Sequence, residues 1–198
     1  MKKYVITISR QFGSLGRPIA RHLSELLGIE FYDRDIVEEA GRKLGMPVSE
    51  ISDQEEMAKS TFFRMSYPLG TSTSEIQDKI FAAQRQFILE KADKESCIMV
   101  GRCSDYILAE QPNHLSVFIY APYEARYENC INSLNMKPED AKKAIERVDK
   151  ARDAYHMKFA KYLPSDFRHM DIMIDSSVLG ERGTAEYLAE FVKRKFAE

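Results

Sequence analysis

The first chemistry this chain offers lies in Gly13-Ser14-Leu15-Gly16-Arg17-Pro18. Gly13 and Gly16 permit backbone conformations and close approaches that a side chain forbids. Amides in such a turn, at the start of a helix, form a natural anion site. Arg17 would meet a phosphate as a planar fork, and Arg10 would add a second cation. The motif G-x-x-x-x-G-K-[ST] is nevertheless incomplete. Gln11 stands at its first glycine, Arg17 at its lysine, and Pro18 and Ile19 where a hydroxyl is expected. On these residues alone, a phosphate cradle and a ligand-free strand–helix turn are equal readings.

Three further groups could join that chemistry. Asp33 follows the run Glu30-Phe31-Tyr32. Its carboxylate could orient an acceptor or hold Mg²⁺ through water, and it could equally cap the helix near Asp35. Arg102 follows a buried-looking run and Gly101. A charge so placed needs a partner, either an anionic ligand or a carboxylate such as Asp105. Arg147, Asp149, Lys150 and Arg152 crowd one helical stretch. They read as a solvated face with local ion pairs or as a lid that closes on phosphates.

The elements needed to position these groups alternate. Val5-Ile6-Thr7-Ile8-Ser9 is strand-like, and Pro18 to Leu27 carries a helical stripe closed by Gly28. Further strands are expected at "IEFYD", "SCIMVG", "HLSVFIYA" and "MDIMID". Helices are expected at Asp35 to Leu44, Glu75 to Ala92, Tyr123 to Ser133, Glu139 to Tyr162 and Thr184 to Phe196. A short helix over Val48 to Met57 and a loop at "RMSYPLGTSTS" are expected between them, with Tyr67 to Thr73 a lid, a dimer contact or a disordered stretch. Such alternation implies βαβ units and a mostly parallel sheet covered on both faces. Ligands then bind beyond the carboxyl ends of the strands, where Arg10, Asp33, Arg102 and Asp175 fall.

Composition narrows the classes. With 44% hydrophobic and 30% charged residues, a soluble globular protein is expected. A net charge of −2 gives no electrostatic reason for a nucleic-acid or membrane partner. Met1-Lys2-Lys3 leads straight into a strand-like run, so no secretory leader is expected. Cys97, Cys103 and Cys130 form no C-x-x-C pair and read as reduced thiols of a cytoplasmic protein. The four histidines show no metal-ligand spacing.

Taken in order, "ITISRQFGSLGRPIA", "IEFYDRDIV", "CIMVGRCSDYIL", "LSVFIYAPYEAR", "VDKARDAYHMKF" and "MDIMIDSSVLG" resemble the cytidylate kinase-like family, a branch of the P-loop nucleoside monophosphate kinases. The resemblance implies an α/β P-loop fold: three layers, a five-stranded parallel sheet and a helical lid over about 136–168, in one domain spanning 1–198. It implies ATP and Mg²⁺, and a small acceptor, foremost CMP or dCMP. Arg10, Gly13, Ser14, Leu15, Gly16, Arg17 and Pro18 would bind the nucleotide. Arg17, Asp33, Arg147 and Arg152 would be catalytic, and Asp33, Arg102 and Asp149 would face the acceptor. Gln84 and Arg85 would line the acceptor side. No protein cage for the metal is implied; Mg²⁺ would ride on the nucleotide, with Ser14, Ser9 or Asp33 as candidate contacts. Cys103 stands where the family's G-R-D element has aspartate, which opens the acceptor's identity. A kinase for another small acceptor and a non-catalytic nucleotide sensor are the alternatives. A monomer or homodimer is expected.

Overall fold

The computed structural model describes residues 3–33, 35–45 and 74–197. The expected helix at Val48 to Met57 and the loop at Tyr67 to Thr73 lie outside the described residues. Five strands form one parallel sheet: β1 (Val5–Arg10), β2 (Glu30–Tyr32), β3 (Cys97–Val100), β4 (His114–Tyr120) and β5 (Ile172–Asp175). Their spatial order is β2-β3-β1-β4-β5, with Ile8 opposite both Val100 and Val117. β1 is thus central, and its carboxyl end opens where the strand order reverses direction, the usual ligand crevice of such sheets.

Helices cover both faces. On one side lie α1 (Gly16–Leu27) and the closing helix α7 (Ser176–Lys195). On the other lie α2 (Asp35–Lys43), α3 (Ser74–Lys94) and the short α4 (Ser104–Ile107). Alternation along the strands assigns the two cores. Ile6, Ile8, Ile98 and Val100 join Ile19, Leu23 and Leu188, whereas Val5, Cys97 and Met99 join Ile36, Phe87 and Ile88. Each fully buried aliphatic side chain contributes about 1.5–3 kcal/mol. Two helices remain, α5 (Tyr123–Asn132) and α6 (Pro138–Phe159), and they build a third cluster at the mouth of the crevice. No described helix is long and apolar enough to cross a membrane.

Limits of the described elements agree with the sequence to within two residues except in four places. α6 ends at Phe159, short of the expected Tyr162. α4 and a 3-10 turn at Phe167–His169 are additions that four or fewer residues cannot announce by periodicity. α7 starts eight residues earlier than expected, because Asp175 caps it by accepting from Ser177 N at 2.9 Å. Gly180, at φ 67° and ψ −173°, kinks it after its first turn and hides the continuity of the stripe.

Candidate active site

Arg10 is the hub of the site. Its side chain leaves β1 between two glycines. A Cβ on Gly16 would fall 2.7 Å from Arg10 Cβ, and one on Gly101 would collide with the Arg10 guanidinium. Gly101 (φ 73°), Arg102 (φ 59°) and Cys103 (φ 55°) are three successive left-handed residues. For the two that carry a Cβ this costs about 1–2 kcal/mol each. Such strain marks a turn that the surroundings over-determine. Here it brings Arg102 beside Arg10 and Arg152, around a chamber of about 40 Å³ that Ser9, Tyr155 and His156 also line.

A larger cavity of about 360 Å³ lies on the other side of Arg10 and Arg152. Gly13, Leu15, Gly16, Arg17 and Pro18 line it, together with Arg21 and the end of α5 at Ser133 and Leu134. Among the described residues, four arginines face this space and no carboxylate does. The N-terminus of α1 points its dipole the same way, with no side-chain cap and no acidic residue in the first turn.

Among the described residues, Asp33 is the carboxylate in ion-pair contact with these arginines. It is buried, accepts Arg17 Nε at 2.8 Å and lies 3.8 Å from Arg10 Nη2. Burial lowers the Arg10 guanidinium from its ordinary value; Asp33 opposes this and Arg102 and Arg17 add to it. Burial, then repulsion from Arg10, lowers Arg152 much further. Arg10 Nε and Arg152 Nη2 are buried without a hydrogen-bond acceptor among the described residues. Buried cations in that state call for an anion. The two cavities therefore fit a polyphosphate and a second anionic group meeting at Arg10 and Arg152.

The loop itself is braced from the third cluster. Phe12 N donates to Asp149 Oδ1 at 2.7 Å, and Arg126 Nη1 donates to Asp149 Oδ2 at 2.5 Å and to Phe12 O at 3.3 Å. Asn129 Nδ2 donates to Gly13 O at 2.9 Å, and Arg152 Nη1 to Arg10 O at 2.9 Å. Phe12 is buried among Cys130, Ile145 and Val148, with the Arg152 guanidinium over its ring at 5.9 Å.

Most residues singled out in the sequence converge here; Asp33 pairs with Arg10 and Arg17 but lines neither cavity, and Ser14, Asp149 and Arg147 also stand elsewhere than expected. Ser14 is fully buried, and its hydroxyl donates to the carbonyls of Gln11 and Ile119 at 2.9 and 3.1 Å. It is part of the wall and not a Mg²⁺ ligand facing the cavity. Asp149 uses both oxygens on the loop and lines neither cavity, so it positions the loop and not an acceptor. Arg147 lies on the exposed side of α6, away from both cavities, because five residues along a helix do not share a face with Arg152. Gln84 is buried and accepts from Tyr155 Oη at 2.8 Å, whereas Arg85 is exposed. Sequence reasoning missed Arg21, Arg126 and Asn129. Arg21 had a signal in its four-residue spacing from Arg17; Arg126 and Asn129 had none beyond their place after a strand.

Among the described residues, no three His, Cys, Asp or Glu side chains gather as a metal cage. Burial pushes up the Cys103 thiol, which makes it no nucleophile.

The model of the cytidylate kinase-like family matches residues 5–178, which include every element of the site. The chain belongs to the cytidylate kinase-like family. It is an ATP-dependent phosphotransferase with the P-loop kinase fold, a kinase for nucleotides or small molecules. A cytidylate kinase of Methanopyrus kandleri (strain AV19) is 25% identical over 193 residues, 93% of this chain and 90% of that one. The crystal structure of an uncharacterized protein from Eubacterium ventriosum ATCC 27560 superposes with a TM-score of 0.72 at 24% identity, over 96% of this chain and 99% of that one. Shikimate kinase from Acinetobacter baumannii in complex with shikimate gives a TM-score of 0.56 at 16% identity, over 100% and 97%. At such identities the two structures speak for the fold alone.

Proposed function

We propose that this kinase transfers the γ-phosphoryl group of ATP to a nucleoside monophosphate, CMP or dCMP foremost. The observation that carries this is the sharing of Arg10 and Arg152 between two cavities. Polyphosphate would lie along Gly13–Arg17 in the larger one. The acceptor's own phosphate would sit beside Arg102 in the smaller one. An acceptor oxygen would then form the new P–O bond as the bond to the leaving diphosphate breaks. No covalent enzyme intermediate is required.

Each side chain has a role in that step. Arg17 and Arg152 neutralise charge on the group in flight, a type of contact worth about 10³–10⁵ in turnover. Arg10 holds donor and acceptor at one point, which removes the entropy of bringing them together. Asp33 keeps the Arg17 fork aimed. Of the oxygens considered for Mg²⁺, Ser9 lines the smaller chamber, whereas Asp33 and Ser14 line neither cavity. When bound through the nucleotide, Mg²⁺ neutralises phosphate charge.

A second reading has one observation behind it. Cys103 replaces the family's aspartate, and no carboxylate lines the smaller chamber among the described residues. A carboxylate is the natural acceptor for a base amino group, so a kinase for another phosphorylated acceptor is the competing reading. A panel of CMP, dCMP, UMP, AMP and hydroxyl acceptors with γ-labelled ATP tests both. Transfer to CMP or dCMP above the others supports the first, and transfer confined to another acceptor replaces it. Arg17→Ala should cut turnover by orders of magnitude with the fold intact; near-normal turnover would remove Arg17 from the mechanism.

A further inference from the structure

Beside the smaller chamber lies a buried polar group that phosphoryl transfer does not consume. His156, on the last turns of α6, is almost fully buried, as is Asp105 at the start of α4. His156 Nε2 lies 2.9 and 3.1 Å from the two Asp105 oxygens, and Nδ1 lies 2.8 Å from the Tyr162 carbonyl. Tyr162 Oη donates to Asp105 Oδ2 at 2.9 Å. We propose that His156 is held as an imidazolium between Asp105 and the Tyr162 carbonyl, and that this tie positions Arg152 and Arg102 around the acceptor's anionic group.

A carbonyl oxygen only accepts, so Nδ1 must carry a proton. An ionised carboxylate only accepts, so Nε2 must carry one as well. A neutral ring would turn a lone pair toward an oxygen. The Tyr162 hydroxyl favours the anionic form of Asp105, because it donates to that carboxylate. Burial works against charge on His156, yet the bond and attraction of Asp105 and the Tyr162 carbonyl hold its pKa above the ordinary value. The same contacts hold Asp105 below its own, again against burial.

The placement gives the tie its effect. His156 is one helical turn beyond Arg152, and Asp105 is three residues beyond Arg102. Both arginines and His156 line the chamber. Both ring nitrogens are spent, so His156 does not bond the acceptor; it is a positioning residue. The inference rests on the reading of this chamber as the acceptor's anion site.

Other titrating groups face the ring. Arg102 and Cys103 come from the strained turn, Arg10 from β1, and Arg152, Asp153 and Tyr155 from α6 itself. His169 stacks on Tyr162 at 3.7 Å. Burial raises Cys103, Tyr155 and Tyr162 well above neutrality, so none of these three changes charge there. A raised pKa means that the tie is complete below about pH 6.5, the unfolded imidazole value, and is lost as pH climbs through the folded value.

The test uses the full chain and sulfate, an anion whose charge is constant over the range. Histidine side-chain ¹⁵N spectra from pH 6 to 10, with His22→Gln, His114→Gln and His169→Gln in turn to assign the signals, report His156. The Arg102 amide reports sulfate. The expected result is two protonated nitrogens on His156 at pH 7.5, and sulfate affinity at Arg102 that falls at least fivefold as His156 loses its proton. Asp105→Asn should bring that weakening to pH 7; if it does not fold, the wild-type titration decides alone. One protonated nitrogen at pH 7.5, or sulfate affinity indifferent to the His156 titration, overturns the proposal. Coupled titrations with no transfer to any acceptor would leave it standing and sink the proposed reaction instead.

Discussion

At the scale of single residues, Arg17 and Asp149 show two ways of serving a phosphate loop. Arg17 is in the loop and faces the cavity, with Asp33 aiming its fork at 2.8 Å. Asp149 is far away in sequence and holds the loop from behind, through Phe12 N and Arg126. Its replacement should therefore act through geometry. Asp149→Ala leaves the buried Arg126 guanidinium and the Phe12 amide without their acceptor, a loss of about 1–3 kcal/mol. It should also raise the KM for ATP more than that for the acceptor. Urea unfolding and steady-state kinetics check both, and an unchanged KM for ATP would contradict the bracing role. The two residues also show what a sequence reveals. Arg17, Gly16 and Pro18 announce themselves because their chemistry is local. The role of Asp149 depends on a contact across 137 positions, and nothing in its charged neighbourhood separates it from Arg147.

At the scale of elements, the loop after β1 and the helices α5 and α6 are one packed body. Phe12 inserts its buried ring into the cluster of α5 and α6, so loop and helices share a core. The strands and the long helices were legible, since alternation and a 3.6-residue stripe follow from burial on one face. That α5 and α6 seat on the loop was not legible, because the stripe of a helix does not name its partner. Phe12→Ala should cost about 3–5 kcal/mol by opening a cavity in that cluster. It should also loosen the loop, because Asp149, Arg126 and Arg152 reach its backbone only from helices that Phe12 anchors. Chemical unfolding gives the first quantity, and hydrogen exchange at the Gly13 and Gly16 amides the second. Protection unchanged at those amides would mean that the loop keeps its shape without the helices.

At the scale of the molecule, the sign of the total charge and the sign of the site are opposite. The chain carries a net charge of −2, yet the larger cavity presents Arg10, Arg17, Arg21 and Arg152 and, among the described residues, no carboxylate. The strand order places that concentration at the end of the central strand, between the two helical layers, where low-dielectric walls focus its field. Burial first, and then repulsion from neighbouring guanidinia, lowers Arg10 and Arg152 from their ordinary values. Folding thus carries an electrostatic cost that a polyphosphate removes. Inorganic tripolyphosphate at about 100 times its Kd should raise the unfolding free energy by about 2.7 kcal/mol. Arg152→Ala should bind it less tightly, and the unliganded variant should lose less stability than a buried arginine normally costs, because the repulsion with Arg10 goes with it. Thermal unfolding with and without tripolyphosphate, at low and high salt, measures both effects. High salt should weaken the binding by screening the partly exposed arginines. Stabilisation by tripolyphosphate that survives both Arg152→Ala and high salt would show that a different surface holds the anion.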